Sequence, residues 1–478
     1  MATHEQPDAV HFTLDGERLA GRASDTLASA LLRAGTTTFT RSIKYHRPRG
    51  PFCLSGGCGQ CLVRVNGVPS LPACRVELKA GMACERQNGP LGSVDSDLFR
   101  AVDFLFPGGL DHHHLMVQSR LLGKVTLEVA RRLAGLGTLP DRPAPERQGS
   151  LRAVPLVVIG AGPAGLAAAQ AALEAGVPEG AGEETRVLVL ERNTSAGGAA
   201  RLGLAGLGAD DRGVTEQAQA ARLAATPGAE LLFRAEVVGL YADESPLGDA
   251  LLAVRFQGRL LAVRARRVVL ATGGTPQPLP FPGVDRPGVY AARGLLELFK
   301  RTGVRVGEAP HSLAVVGEGP ELLLAANALL AAGYGLAAVI DAGGDAVAPS
   351  QPDGGLSVRR ATPMRVRGNP AAELQVEVAG KVQQLRCDAV AIALPPAPLH
   401  DLATSVGAQA AFDQAVGGFP VHTDERGRAW PAWLFAAGTA AGESGAEALL
   451  SGAAAGRTAG GEAAALSAAA QAGGAAVA

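Results

Sequence analysis

Leu156-Val157-Val158-Ile159-Gly160-Ala161-Gly162-Pro163-Ala164-Gly165 reads as a strand buried on both faces running straight into a glycine turn. The glycines at 160, 162 and 165 keep G-x-G-x-x-G spacing, and an Ala-rich helix follows as far as Gly176. A second apolar strand over 186–190 ends on Glu191. Alone, such a glycine pattern is weak; between a strand and a helix, with an acid ending the next strand, it is a dinucleotide fingerprint. Gly160 permits the tight turn, Gly162 lets a pyrophosphate reach the backbone, and Gly165 lets the helix close on the strand. The phosphate then faces the positive end of the helix dipole. Glu191 would hold a ribose 2′-hydroxyl, which favours FAD or NAD over a 2′-phosphorylated cofactor.

Downstream the same grammar recurs. Arg267-Val268-Val269-Leu270 is a buried strand entering Ala271-Thr272-Gly273-Gly274, with a proline-rich exit through Pro282. Leu313-Ala314-Val315-Val316 then opens a second βαβ unit at Gly317-Glu318-Gly319, with a helix through Leu330 and a strand ending at Asp341. Leu322 stands where the third glycine belongs, so close helix–strand contact is expected to suffer. Occupation by NAD(P) and a purely structural role both stay open there. Ala389–Leu394 is a further strand, and Trp433-Leu434-Phe435-Ala436-Ala437-Gly438 leads into a small-residue helix through Gly460.

Upstream, Cys53-Leu54-Ser55-Gly56-Gly57-Cys58-Gly59-Gln60-Cys61 and then Cys74 give C-x4-C-x2-C-x12-C. Glycines at 56, 57 and 59 let the backbone wrap closely with its N–H groups turned to sulfur. The short run has the plant-type spacing for a [2Fe–2S] cluster held by four thiolates. Zinc is the alternative, although its sites more often show two separated C-x2-C pairs. Around this loop, Val10–Leu14, the Asp15-Gly16 turn and Arg18–Arg22 read as a hairpin. Asp25 is expected to cap a helix through Leu32 that stops at Gly35, and Cys61–Val65 with Asn66-Gly67 repeats the strand-and-turn signal. This is the plan of a small β-grasp module.

The expected organisation is a ferredoxin-like domain over 1–90 and a connector over 91–152. The first Rossmann domain follows over 153–284, with its return segment at 399–465. A second, NAD(P)-type domain is inserted at 285–398, and 466–478 form a flexible tail. His112-His113-His114 in the connector is expected to be a solvated or interface turn, since adjacent side chains point apart.

Length and composition bound the function. At 478 residues the chain exceeds one ordinary core, and the balance of Lys+Arg (44) against Asp+Glu (45) argues against nucleic-acid binding, which needs a basic surface. No apolar run is long enough for a membrane span, and Met1–Gln6 shows no secretory pattern. Cys84 and Cys387 are far apart in sequence and form no disulfide framework, so a reducing cytoplasm is expected.

Two nested Rossmann units, an Ala-Thr-Gly strand between them and a closing Ala-Ala-Gly segment resemble the two-dinucleotide flavoprotein disulfide-reductase superfamily. The turn after Glu191, with Gly197-Gly198, is similar to its flavin-contacting turn. With only Cys387 after Cys84, a redox C-x-x-C is absent and thiol–disulfide chemistry is excluded. The set that would line the dinucleotide is therefore Gly160, Gly162, Pro163, Ala164, Gly165, Glu191, Arg192, Gly197, Gly198, Val237, Ala271, Thr272, Gly273, Gly438 and Thr439. The metal set is Cys53, Cys58, Cys61 and Cys74.

A narrower resemblance rests on His46-Arg47-Pro48-Arg49-Gly50, the Rossmann unit, Val339-Ile340-Asp341-Ala342 and Ala436-Ala437-Gly438. These are similar to the alpha subunits of heteromeric sarcosine oxidase, hydrogen cyanide synthase, opine oxidase and D-hydroxyproline dehydrogenase. The resemblance implies that an FAD-containing beta-type partner oxidises an amine or amino acid. This chain would relay the electrons and supply no acid–base residue. Departures matter. Sarcosine oxidase alpha lacks the four cysteines, which points to the cluster-bearing dehydrogenase branch, and no folate-binding C-terminal domain is expected. Such flavoproteins usually end the closing strand in Gly-Asp, where this chain has Gly438-Thr439. Replacing a charge-assisted bond by a neutral one costs about 1–2 kcal/mol. In sarcosine oxidase alpha the dinucleotide is NAD, so FAD is favoured and NAD stays possible. The rivals are a self-contained NAD(P)H-dependent FAD/[2Fe–2S] reductase and a non-redox assembly scaffold.

Overall fold

Asp15-Gly16 and Asn66-Gly67 both turn through the left-handed region, with φ of 51° and 87° and of 50° and 81°. That is the geometry whose twist matches a tight hairpin. The first turn joins Ala9–Leu14 to Glu17–Arg22, and the second joins Leu62–Val65 to Val68–Pro72. Ala83–Arg86 lies between the hairpins, parallel to the first strand and antiparallel to Leu62–Val65, completing a five-stranded sheet. The Leu27–Arg33 helix buries Leu27, Ala28, Ala30 and Leu31. This is the expected β-grasp plan. Its cap differs from expectation: the Thr26 hydroxyl accepts the Ser29 N–H at 3.1 Å. Asp25 stands one residue too early and instead accepts the Arg22 N–H, the Ser29 hydroxyl and the Arg33 guanidinium.

The structure, a computed structural model, describes residues 9–42, 45–87, 94–96, 147–179, 184–204, 216–243, 249–309, 311–343 and 358–475. The connector and its three histidines lie outside the described residues. The chain divides into two units, one formed by 1–144 with 276–394 and the other by 145–275 with 395–478.

In the unit that carries the β-grasp module, five parallel strands run in the order Val289–Ala291, Ala389–Ala393, Ser312–Gly317, Gly335–Asp341, Val358–Arg360. The Gly319–Ala331 helix does meet this sheet, through buried Leu322, Ala325, Ala326 and Leu329. The missing glycine is thus replaced by a side-chain contact. Close backbone approach occurs at Gly317 instead, where a Cβ would fall 1.8 Å from the Ala393 carbonyl oxygen.

In the other unit, Ala229–Phe233, Val187–Glu191, Ser150–Ile159, Arg259–Leu270 and Leu434–Ala436 are successive parallel neighbours. The Ala250–Phe256 and Glu236–Ala242 strands extend the sheet antiparallel. The last helix is Gly445–Ala475 and so continues past residue 466. It lies against the Pro163–Glu174 helix through small residues one turn apart. A Cβ on Gly452, Gly456 or Gly460 would come within 2.2, 2.1 and 2.8 Å of the carbonyl oxygens of Ala164, Ala168 and Ala172. Only backbone fits there.

Candidate redox centres

The first glycine loop is built as its sequence requires. Gly160 has φ of +108°, and a Cβ on it would strike the Ala271 carbonyl oxygen at 2.3 Å. A Cβ on Gly165 would lie 1.9 Å from the Gly160 carbonyl, whereas one on Gly162 meets nothing within 4 Å. Gly162 caps the Pro163–Glu174 helix without a side chain, so its first amides stay available to an anion. Glu191 is buried; its carboxylate accepts the N–H groups of Ala161 at 2.9 Å and Asn193 at 2.7 Å. That fixes the acid beside the loop with lone pairs left for a ribose hydroxyl.

Gly197 and Gly198 are brought to the same place. The Gly197 N–H reaches the Ala161 carbonyl at 2.8 Å, and a Cβ on Gly198 would stand 3.3 Å from the Gly162 Cα. Ala271 donates its N–H to the Ile159 carbonyl at 2.9 Å, and the Thr272 hydroxyl donates to the Leu399 carbonyl at 3.0 Å. Gly273 turns at φ +70°. Gly438 comes up against Ala164, whose Cβ would be 2.8 Å from one on Gly438. Its N–H is held by the Glu443 carboxylate at 3.2 Å and the Ser451 hydroxyl at 3.1 Å, two partners that no motif in the sequence marks. Val237 follows the tight return at Ala235, whose N–H donates to the Glu191 carbonyl, and packs on the hairpin core. The cradle fits a dinucleotide: a bare helix start, an open Gly162 and a seated acid converge.

The four cysteines also converge. Leu54, Gly56 and Gly59 all have positive φ, which wraps the loop around Cys53. The N–H groups of Ser55 and Cys58 point at the Cys53 sulfur at 3.5 and 3.4 Å. The Ala73 N–H donates to the Cys61 carbonyl at 2.9 Å, which brings Cys74 back to the loop. Hydrogen bonds from the Cys58 and Cys74 thiols hold Cys53 far below the ordinary thiol range, and one from Cys74 lowers Cys61. Cys58 and Cys74, as the donors, are pushed up. A C-x4-C-x2-C loop with Cys74 returned to it is the plant-type arrangement for a binuclear cluster, whereas zinc sites more often use two separated C-x2-C pairs. Cys84 and Cys387 stand apart; burial raises each thiol to about 11.

The second helix start is as bare of side-chain caps as the first, but acids rim it. Asp341, buried, takes the position of Glu191 and accepts the Gly343 N–H at 3.0 Å. Where the first loop has Ala161, this one has exposed Glu318. A Cβ on Gly343 would stand 3.1 Å from an Asp341 carboxylate oxygen and 3.5 Å from the Glu318 Cβ, so both acids share one rim. In the first helical turn Glu321 is buried, which raises its carboxyl, and Arg293 opposes that shift through bonds of 2.7 and 2.8 Å. Arg293 is thereby committed to Glu321. These residues do not fit a diphosphate.

Residues 154–472 match the family model described as pyridine nucleotide-disulphide oxidoreductase. The chain belongs to that family. Residues 7–89 match a 2Fe-2S iron-sulfur cluster binding domain, so the oxidoreductase fold carries its cluster module on the same chain. The alpha chain of sarcosine oxidase from Rhizobium meliloti is 30% identical over 470 residues, covering 93% of this chain and 45% of that protein. An opine oxidase subunit from Agrobacterium tumefaciens is 28% identical over 324 residues, 61% of this chain and 62% of that one. The chain thus spans less than half of the sarcosine oxidase chain it matches. L-proline dehydrogenase of P. horikoshii shares the fold, with a TM-score of 0.60 at 20% identity over 92% of this chain and 70% of that chain. The expected likeness to the alpha-type subunits of sarcosine and opine oxidases holds, as does the two-dinucleotide architecture. Among the described residues of this family member no helix is long and apolar enough to cross a membrane.

Proposed function

We propose that this chain is the electron-transfer subunit of a heteromeric amine or amino-acid dehydrogenase or oxidase that works in the cytoplasm. A beta-type, FAD-containing partner would take two electrons and two protons from the CH–NH unit of a sarcosine-, proline-, opine- or glycine-type substrate, leaving an imine. Cys53, Cys58, Cys61 and Cys74 hold a [2Fe–2S] cluster, which when bound supplies one-electron relay to an acceptor. The residues from Gly160 to Gly165 with Glu191, Arg192, Gly197, Gly198, Val237, Ala271 to Gly273, Gly438 and Thr439 hold FAD, or NAD in its place. The observation that carries the reading is the four-cysteine loop, with amides on the Cys53 sulfur and Cys74 returned to it, on a chain whose relatives are named as oxidase subunits.

The chain's own residues bind and tune. Amides of Ser55 and Cys58 directed at sulfur stabilise a reduced, more negative centre. The Glu191 carboxylate orients the adenosine end of the dinucleotide. The test is anaerobic purification alone and with the partner, followed by iron, labile-sulfide and cofactor analysis and by stopped-flow with substrate. Cluster reduction by an amine only when the partner is present is the expected result. Zinc in place of iron, or reduction by substrate without a partner, would overturn it.

A further inference from the structure

The cysteine loop does not stand free of the second nucleotide-type sheet; within their shared unit the two are packed together. Phe52 and Cys53 are 4% and 1% exposed and belong to one apolar cluster with Val289, Ala291 and Ile392. The Phe52 carbonyl accepts the Ala291 N–H at 3.0 Å. Ala291 caps the Ala292–Thr302 helix, and two residues into that helix sits Gly294. A Cβ on Gly294 would lie 2.7 Å from the Cys53 carbonyl oxygen and 3.0 Å from the Phe52 carbonyl oxygen. Farther along the loop's approach, Arg49 is paired with Asp285 at 2.6 Å, and a Cβ on Gly50 would stand 3.1 Å from the Pro287 Cα.

We propose that Gly294 is a positioning residue for the metal centre: its bare Cα, with the Ala291 amide, forms the seat that sets where the Cys53 thiol points. A glycine in the first turn of an otherwise amphipathic helix costs helix stability, and here the contact with backbone explains its presence. Gly294 has ordinary helical geometry, so what a side chain would change is the space and not the conformation. Displacing the Cys53 carbonyl moves the residue whose sulfur accepts the Ser55 and Cys58 amides, so the effect reaches the centre without touching a ligand side chain.

The proposal rests on the cluster reading for one arm of its test and is independent of it for the other. In the holoprotein, Gly294→Ala is expected to keep its fold, to change the EPR g-values and midpoint potential of the reduced centre, and to lose iron to a chelator about tenfold faster. Lys300→Ala, exposed on the same helix, should leave all three unchanged. Ala291→Pro keeps the φ of −72° but replaces the amide hydrogen that Phe52 accepts by a ring carbon that crowds the same carbonyl, so it too displaces the Phe52–Cys53 backbone and should act in the same direction if Gly294→Ala fails to fold. In metal-free protein, peptide-resolved alkylation should show Cys53 reacting at least severalfold faster in either variant than in the unaltered chain. That arm reads the seat whichever metal the loop holds. Unchanged spectra, iron retention and Cys53 reactivity in folded Gly294→Ala would overturn the proposal.

Discussion

The Glu191 carboxylate and the Ala161 amide are joined at 2.9 Å, across the gap between the end of one strand and the turn after its neighbour. The acid therefore does two things at once. It fixes the glycine turn from behind and keeps lone pairs for a ribose. Glu191→Ala is expected to lose most bound dinucleotide. It also leaves the Ala161 and Asn193 amides without their acceptor, at about 1–3 kcal/mol of stability. Cofactor content after gel filtration and a denaturant midpoint separate the two losses; full retention would place the ribose elsewhere.

Gly162 and Gly165 sit in one loop but serve different ends, and a single methyl on each tells them apart. Gly162→Ala adds its Cβ to open space at φ −77°, so folding should be untouched while the pyrophosphate loses its close approach to backbone. Gly165→Ala drives a Cβ to within 1.9 Å of the Gly160 carbonyl and should destabilise by about 1–3 kcal/mol. Thermal melts with and without added dinucleotide check this. Equal melting of both variants would mean that the helix start is not the phosphate site.

Much of the fold is legible in the chain. The strand at 156–159, the turns at Asp15-Gly16 and Asn66-Gly67 and the cysteine spacing are signals in which local chemistry and tertiary role coincide. The helix cap at Thr26 is not, because Asp25 and Thr26 are adjacent and both residue types cap well; which one does so depends on the strand that Asp25 also serves. The length of the last helix is hidden because Ala, Gly and Ser composition looks like a tail. Its packing at Gly452, Gly456 and Gly460 against Ala164, Ala168 and Ala172 is a backbone contact, which composition does not record. Glu443, Ser451 and Gly294 give no signal either, since their roles depend on contacts that no spacing rule encodes.

Thiol chemistry should divide the six cysteines sharply. Cys58→Ser is expected to abolish or strongly perturb the cluster's visible and EPR signals, and Cys84→Ser to leave them unchanged. In folded protein Cys84 and Cys387 should resist alkylation at pH 8. A thiol raised to about 11 is roughly 0.1% thiolate there, and reactivity should climb as pH rises toward 11. Mass-resolved labelling from neutral to alkaline pH reads the profile. Fast labelling of Cys84 at neutral pH would place it in a very different environment.

The stripe at 452, 456 and 460 gives a stability contrast within one helix. Gly456→Val should destabilise by about 2 kcal/mol or more, because its Cβ would sit 2.1 Å from the Ala168 carbonyl, and should loosen the dinucleotide held at the other end of that helix pair. Gly461→Ala meets nothing within 4 Å and should stabilise by about 0.5–1 kcal/mol through helix propensity. Chemical denaturation of both variants measures the difference. Destabilisation by Gly461→Ala would show that the exposed side of the helix is also packed.

Glu318 is the simplest reason to expect that nicotinamide dinucleotides do not feed this protein. Its carboxylate shares a rim with Asp341, and a diphosphate resting on the Gly319–Ala331 helix start would meet that charge directly. Two like charges about 4 Å apart in water cost about 1 kcal/mol, so Glu318→Ala should tighten NADH binding at that loop by about fivefold from a weak starting point. In the unaltered chain, fluorescence titration should show no saturable NADH site at micromolar concentration there, and mixing with NADH should leave the cluster oxidised. Saturation that disappears when Gly319 is replaced by Val, together with rapid reduction, would instead establish the self-contained reductase.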